Sequence, residues 1–187
     1  MNDREDRREK IRRMGIEEKE STILSIEKSA SEYERLYGGC ARSTLRALQE
    51  HLGIDSNDTF RTATPFSGGT GRSGEVCGAL VGAIMAIGLV YADGEFEKGK
   101  PESRPLCVRS SHYEKTMERT IKLCDQFRGE FGGLKCPDVM SKLFGKVWDL
   151  RDPEMRVQYS QPSIHDRCGE VTGKTARLAA TLILEND

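Results

Sequence analysis

Six cysteines, at positions 40, 77, 107, 124, 136 and 168, are the side chains of this sequence best suited to chemistry. Thiolates attack disulfides and electrophiles, and they hold zinc or iron. No two of the six form a CxxC pair, so neither a thioredoxin-like site nor a zinc knuckle is written locally. A shared site must be assembled by folding from distant segments. Cys77 stands out by its neighbours. It lies in Phe66–Asp93, FSGGTGRSGEVCGALVGAIMAIGLVYAD, where the glycine loop Ser67–Gly74 runs into a small and apolar stretch. Backbone N–H groups of such a loop, the positive end of the following helix and Arg72 would all favour the Cys77 thiolate. The competing reading is a glycine turn that lets helices pack, with Cys77 a small core residue. Local sequence leaves both open.

The same loop contains Gly69-Thr70-Gly71-Arg72-Ser73-Gly74, a formal GxGxxG, with Asp93 about twenty residues on. The context does not suit a dinucleotide site, because no β-rich strand leads in and no strand–helix alternation follows. A phosphate-binding P-loop needs Lys and then Ser or Thr after the last glycine, and here Glu75 and Val76 follow. Among the histidines, His51 and His112 sit at helix ends and read as local hydrogen-bonding groups. His165, three residues before Cys168, is the one candidate ligand or proton donor. Neither Asp93 nor Glu95 has an evident carboxylate partner for acid–base work.

These residues must be positioned by helices. Ser21–Leu52 carries a loose apolar stripe, interrupted by Gly38-Gly39 just before Cys40. Asp55–Asp58 reads as a turn, and Phe60–Phe66 as a poor strand because Pro65 lies inside it. Glu75–Tyr91 reads as a buried helix with a small face formed by Gly74, Gly78, Gly82 and several alanines. Glycine in a helix costs up to about 1 kcal/mol relative to alanine, so close approach by a neighbour is expected. Ala92–Cys107 reads as a loop or flap. Ser110–Phe131 reads as a helix with Tyr113, Met117, Ile121, Cys124 and Phe127 on one face, and burial is the expected role of Cys124. Pro137 suits the first turn of a short helix from Cys136 through Phe144. Gly145–Ser160 reads as irregular, with Trp148 a packing anchor. Thr172–Leu184 is the last helix, starting as early as Cys168. The expected class is all-α: a helical bundle with a glycine-rich loop before a central buried helix.

Length and composition suit one domain of 187 residues, with residues 1–20 a charged N-terminal extension and 21–187 a single helical cysteine-containing domain. The first twenty residues hold seven basic and seven acidic side chains and no apolar signal-peptide core. A net charge of −1 gives no basic surface for nucleic acid, and the run Ala79–Ala92 is short for a membrane span. The expectation is a cytoplasmic protein with no nucleic-acid or membrane partner. In a reducing compartment static disulfides are not expected.

The whole pattern resembles the redox-active protein family named for its C_GCAxxG_C_C cysteines. The resemblance rests on Gly39-Cys40-Ala41, on SGGTGRSGEVCGALVGAIMAIGL, on FGGLKC and on Cys168, and it covers roughly residues 30–184. It implies that Cys40, Cys77, Cys136 and Cys168 are the family cysteines and that Cys107 and Cys124 are extras. Related domains are similar to the non-haem part of split-Soret cytochromes, where an iron–sulfur centre accompanies haem. This chain has no CxxCH, so covalent c-type haem is not implied. Cys77, Cys136 and Cys168 each precede or open an expected helix, whose N-terminus favours thiolate. Gly132-Gly133 and Gly169 are expected to give backbone N–H groups room to reach cluster sulfurs.

Four converging thiolates need a cation. The leading expectation is a [2Fe–2S] cluster held by Cys40, Cys77, Cys136 and Cys168, for electron transfer or sensing with an unidentified redox protein or enzyme as partner. One alternative is a metal-free thiol–disulfide enzyme in which Cys77 attacks and Cys40 or Cys136 resolves. Another is a helical interaction module stabilised by Zn(II). The small-residue helix face is also compatible with a homodimer.

Overall fold

The structure, a computed structural model, describes residues 3–92 and 111–185. Cys107, Asp93, Glu95 and most of the expected flap Ala92–Cys107 lie outside the described residues. Those described are all-α. In chain order the helices are α1 (Asp3–Arg13), α2 (Ile16–Tyr37), α3 (Cys40–Leu52), α4 (Asn57–Ala63), α5 (Gly78–Tyr91), α6 (Ser111–Phe131), α7 (Cys136–Phe144), α8 (Pro153–Tyr159) and α9 (Pro162–Leu184). A 3-10 turn, Thr64–Phe66, follows α4. The described residues contain no strand, only an isolated antiparallel bridge between Val76 and Lys135.

The bundle is centred on α5, GALVGAIMAIGLVY, which carries no charge and packs against α3, α9 and α6. Most of it is buried, while the side formed by Val81, Ile84, Met85, Gly88 and Leu89 is half-buried. Its small face does what the glycines foreshadow. A methyl group at Gly82 would run into the Ala41 carbonyl, so α3 and α5 approach backbone to backbone there. On the other side α9 lies along α2, and a methyl group at Gly173 would stand 2.7 Å from the Glu27 carbonyl oxygen. Gly38-Gly39 breaks the first long stretch as expected: both have positive φ, and Cys40 becomes the first residue of α3. In α1, Ile11 is buried and Arg8 donates to the carbonyls of Val90 and Tyr91 at the end of α5, so this charged segment touches the bundle.

Several expectations are corrected. Phe60–Phe66 is helical: Ser56 Oγ caps α4 by accepting from Thr59 N–H. The span Gly145–Ser160 contains α8, capped by Asp152, whose carboxylate accepts from the N–H groups of Glu154 and Met155. The central helix starts at Gly78, leaving Gly74 outside it, and the last helix starts at Pro162. On α6 the buried residues are Leu123, Phe127 and Phe131, while Tyr113, Met117 and Ile121 are exposed. Cys124 is half-buried and packs against the core from this helix. Trp148 is indeed a packing residue, in a satellite cluster with Cys136, Met140 and Leu150.

Candidate functional site: a cavity walled by four cysteines

Cys40, Cys77, Cys136 and Cys168 line one cavity of about 540 Å³. Three devices bring them there. Gly39, with φ +90°, turns the chain so that Cys40 opens α3. Cys77 and Cys136 are held by a fragment of antiparallel pairing. Cys77 N–H donates to the Leu134 carbonyl (2.9 Å), and Cys136 N–H donates to the Glu75 carbonyl (2.9 Å), either side of the Val76–Lys135 bridge. Side chains alternate across an extended chain, so both cysteines lie on the face opposite Val76 and Lys135. The Lys135–Glu75 ion pair (2.9 Å) spans the same junction. Cys168 comes from within α9, two turns in, and does not open the helix as the sequence suggested. A methyl group at Gly78 would sit 2.6 Å from Cys40 Sγ, so that glycine makes space for the sulfur.

Burial dominates the electrostatics. It raises all four thiols: Cys136 to about 11, Cys168 to about 12, and Cys77 and Cys40 well above the ordinary value of 9.0. The sulfurs also feel one another. After burial, Cys136 raises Cys77, and Glu34 and then Cys77 raise Cys40. Backbone N–H groups of Ala79 and Leu80 at Cys77, and of Gly68 at Cys40, act in the opposite sense. The helix terminus expected to activate Cys77 is therefore present, but desolvation outweighs it.

The glycine loop is also not an open anion nest. Gly68, Gly69, Thr70, Gly71, Arg72 and Gly74 all have positive φ. The resulting left-handed turn spends its own donors: Thr70 N–H bonds to the Phe66 carbonyl, Gly71 to Pro65, Arg72 to Ser67 and Glu75 to Gly69. Gly132-Gly133 and Gly169 serve packing rather than the cavity. Gly132 and Gly133 lie against Lys142 and Asp138, and Gly169 lies against Arg35 and Ser31 of α2.

Two residues that sequence reasoning missed complete the wall. Tyr159, from α8, shares a hydrogen bond between its Oη and Cys168 Sγ. Glu34 of α2 is 5% exposed, its Oε2 has no partner, and its Oε1 is 3.5 Å from His165 Nε2. Burial lifts the Glu34 carboxyl to about 7, against the opposing influence of Ser43, Arg42 and the Gly39 N–H. His165 thus lines the cavity, as its nearness to Cys168 hinted, but its acidic neighbour could not be read from spacing. His51 instead bonds Ser29 Oγ (2.9 Å) away from the site.

A family model described as "Putative redox-active protein (C_GCAxxG_C_C)" matches residues 39–182. The chain belongs to this family. The match takes in all four cavity cysteines, and it makes the protein a member of a redox-active family as the resemblance implied. Searches of curated proteins and of solved structures give no match. No described helix is long and apolar enough to cross a membrane.

Proposed function

We propose that Cys40, Cys77, Cys136 and Cys168 hold an iron–sulfur cluster, a [2Fe–2S] centre, used for electron transfer or sensing. The observation that carries this reading is that four cysteines, Cys77 and Cys136 buried and Cys40 and Cys168 half-buried, wall one cavity. Zinc needs four ligands at about 2.0–2.3 Å from one point. A cluster instead spreads its ligands over several metal atoms, and it neutralises thiolates that burial otherwise disfavours. Metal-free exchange by Cys77, with Cys40 or Cys136 resolving, is disfavoured because all these thiols are raised, leaving little thiolate at neutral pH.

When bound, the cluster would supply one-electron chemistry. The chain's own residues would do the rest. Val139 and Met140, both buried on the cavity wall, exclude water from the Cys136 side. The N–H groups of Gly68, Ala79 and Leu80 and the Tyr159 hydroxyl stabilise thiolate charge and so bear on potential. The absence of CxxCH argues against covalent haem. In this reading the protein works in a reducing cytoplasm, with a redox protein or enzyme as its partner.

The test is iron and acid-labile sulfide per chain after anaerobic purification, with the visible spectrum of the same sample. About two of each with charge-transfer bands are expected. About four of each would keep the ligands and change the cluster. Colourless, iron-free protein from cells competent in cluster assembly overturns the reading, and stoichiometric zinc in that sample would put the zinc module in its place.

A further inference from the structure

Three arginines stand on the wall of the cysteine cavity, each from a different element: Arg42 from α3, Arg72 from the glycine loop and Arg156 from α8. None of them is ion-paired to a carboxylate among the described residues. Arg42 is half-buried and held by backbone carbonyls, donating through Nε to Gly38 (3.1 Å) and through Nη2 to Tyr37 (2.9 Å). Arg156 is half-buried and donates through Nη1 to the Leu150 carbonyl (3.2 Å). Arg72 is exposed, and its guanidinium makes no hydrogen bond or ion pair among the described residues. Carbonyls thus fix two of these groups without cancelling their charge, and each keeps further N–H donors. By contrast Arg46 is matched by Glu50 and Asp55, Arg128 by Asp125 and Arg177 by Glu27.

Glu34 is the one carboxyl on the cavity wall, so three positive charges there face at most one negative charge. The whole chain has a net charge of −1, so this rim is a local feature and not part of a generally basic surface. The cavity reaches solvent at the same place: Thr64, Pro65, Gly71 and Ser160 on its wall are exposed, whereas the four cysteines are buried or half-buried. The end of α2 adds two exposed apolar side chains, Leu36 (71%) and Tyr37 (68%), and the Tyr37 carbonyl is one of those that hold Arg42.

We propose that this arginine-ringed mouth is the docking face for an acidic electron-carrier protein, whose carboxylates meet Arg42, Arg72 and Arg156. The inference rests on the electron-transfer reading and names the partner class for it. A positive rim around a redox site complements a carrier that presents Asp and Glu, and such complementarity steers the encounter and fixes its orientation. Leu36 and Tyr37 supply the apolar contact that interfaces combine with arginine.

The experiment is calorimetric titration of the full chain with a purified plant-type ferredoxin, an acidic one-electron carrier, at about 0.02 M and about 0.2 M salt. Saturable binding is expected at low salt, weaker by roughly tenfold or more at high salt, while the basic carrier cytochrome c gives no saturable heat. Arg72→Gln and Arg156→Gln should each weaken ferredoxin binding severalfold, and the double variant by roughly tenfold. Lys122→Gln, on α6 and off the cavity wall, should bind as wild type does. Because Arg72 makes no bond within the fold, its variant keeps the test sound should Arg156→Gln disturb α8. Absence of saturable heat, wild-type affinity in Arg72→Gln and the double variant, or equal binding of cytochrome c overturns the docking face. So does displacement of ferredoxin by millimolar phosphate at constant ionic strength, which would assign the arginines to a small anion. Iron and sulfide counted on the same samples keep the two readings apart. Iron-free protein that binds ferredoxin through the arginines sinks only the cluster, and cluster-loaded protein that ignores ferredoxin sinks only the docking face.

Discussion

Tyr159 Oη and Cys168 Sγ share a hydrogen bond, the one side-chain hydrogen bond that a cavity cysteine makes among the described residues. The hydroxyl works against the burial that lifts Cys168 to about 12. Tyr159→Phe removes that donor and keeps the ring, which packs edge-on against Trp148 at 5.7 Å. In iron-free protein the Cys168 thiol should rise further, so its alkylation at a given pH should slow relative to wild type. In cluster-loaded protein, loss of a donor to a ligating sulfur should lower the midpoint potential by tens of millivolts, on the order of one lost charge-assisted hydrogen bond. An unchanged potential together with an unchanged alkylation profile would leave Tyr159 with a packing role alone.

Glu34 gives the iron-free protein a pH dependence of unusual sign. Burial raises its carboxyl from 4.5 to about 7. Between those values the folded chain holds a proton that the unfolded chain has released, so stability falls as pH rises through this window. Below about 4.5 the penalty is absent, and above about 7 it is complete, at most about 3 kcal/mol. Glu34→Gln should therefore be more stable than wild type at pH 8 and show no such gain at pH 4.5. Urea denaturation across that range checks it. A difference between the two proteins that is flat with pH would show that the carboxyl does not titrate on unfolding.

What the sequence disclosed, and what it hid, follows from range. Gly38-Gly39, Cys136-Pro137 and the long apolar patterns mark helices locally, and those helices are present. The two seven-residue helices α4 and α8 are too short for a periodic stripe. Their signals are caps, Ser56-Asn57-Asp58 and Asp152-Pro153-Glu154, which mark a helix start without any stripe. On α6 the apolar residues Tyr113, Met117 and Ile121 follow helical spacing as well as the buried set does, so pattern alone could not choose the face. The four cysteines were legible through the family resemblance. Their neighbours were not. Glu34 is one carboxylate among many on a charged helix, and Tyr159 lies in the segment read as irregular. The Val76–Lys135 bridge that aligns Cys77 with Cys136 is a single residue pair, below any strand periodicity.

The contact between α3 and α5 predicts opposite outcomes for two glycines in one helix. Gly82 lies against the Ala41 carbonyl, whereas a methyl group at Gly88 would meet nothing within 4 Å. Gly82→Ala must push the helices apart, costing about 1–3 kcal/mol as overpacking does. Gly88→Ala should be neutral or stabilise by up to about 1 kcal/mol through helix propensity. Thermal unfolding of both variants checks the pair. Ala41 adjoins Cys40, so Gly82→Ala should also lower iron content, while Gly88→Ala should not.

Serine substitutions separate a four-cysteine site from a two-cysteine one. Cys77 and Cys136 are aligned by the short antiparallel bridge, Cys40 opens α3, and Cys168 reaches the cavity from α9. A cluster ligated by all four should lose most of its iron when any one becomes serine, because the remaining thiolates no longer balance the metal charge. Cys124→Ser, on α6 and absent from the cavity wall, should keep wild-type iron and sulfide. A thiol–disulfide enzyme gives another pattern: Cys77→Ser abolishes disulfide reduction, whereas Cys168→Ser leaves it intact. Measuring iron, sulfide and thiol–disulfide exchange on the five variants distinguishes these outcomes. Equal iron in Cys168→Ser and wild type would remove Cys168 from the ligand set, and with it the four-cysteine proposal.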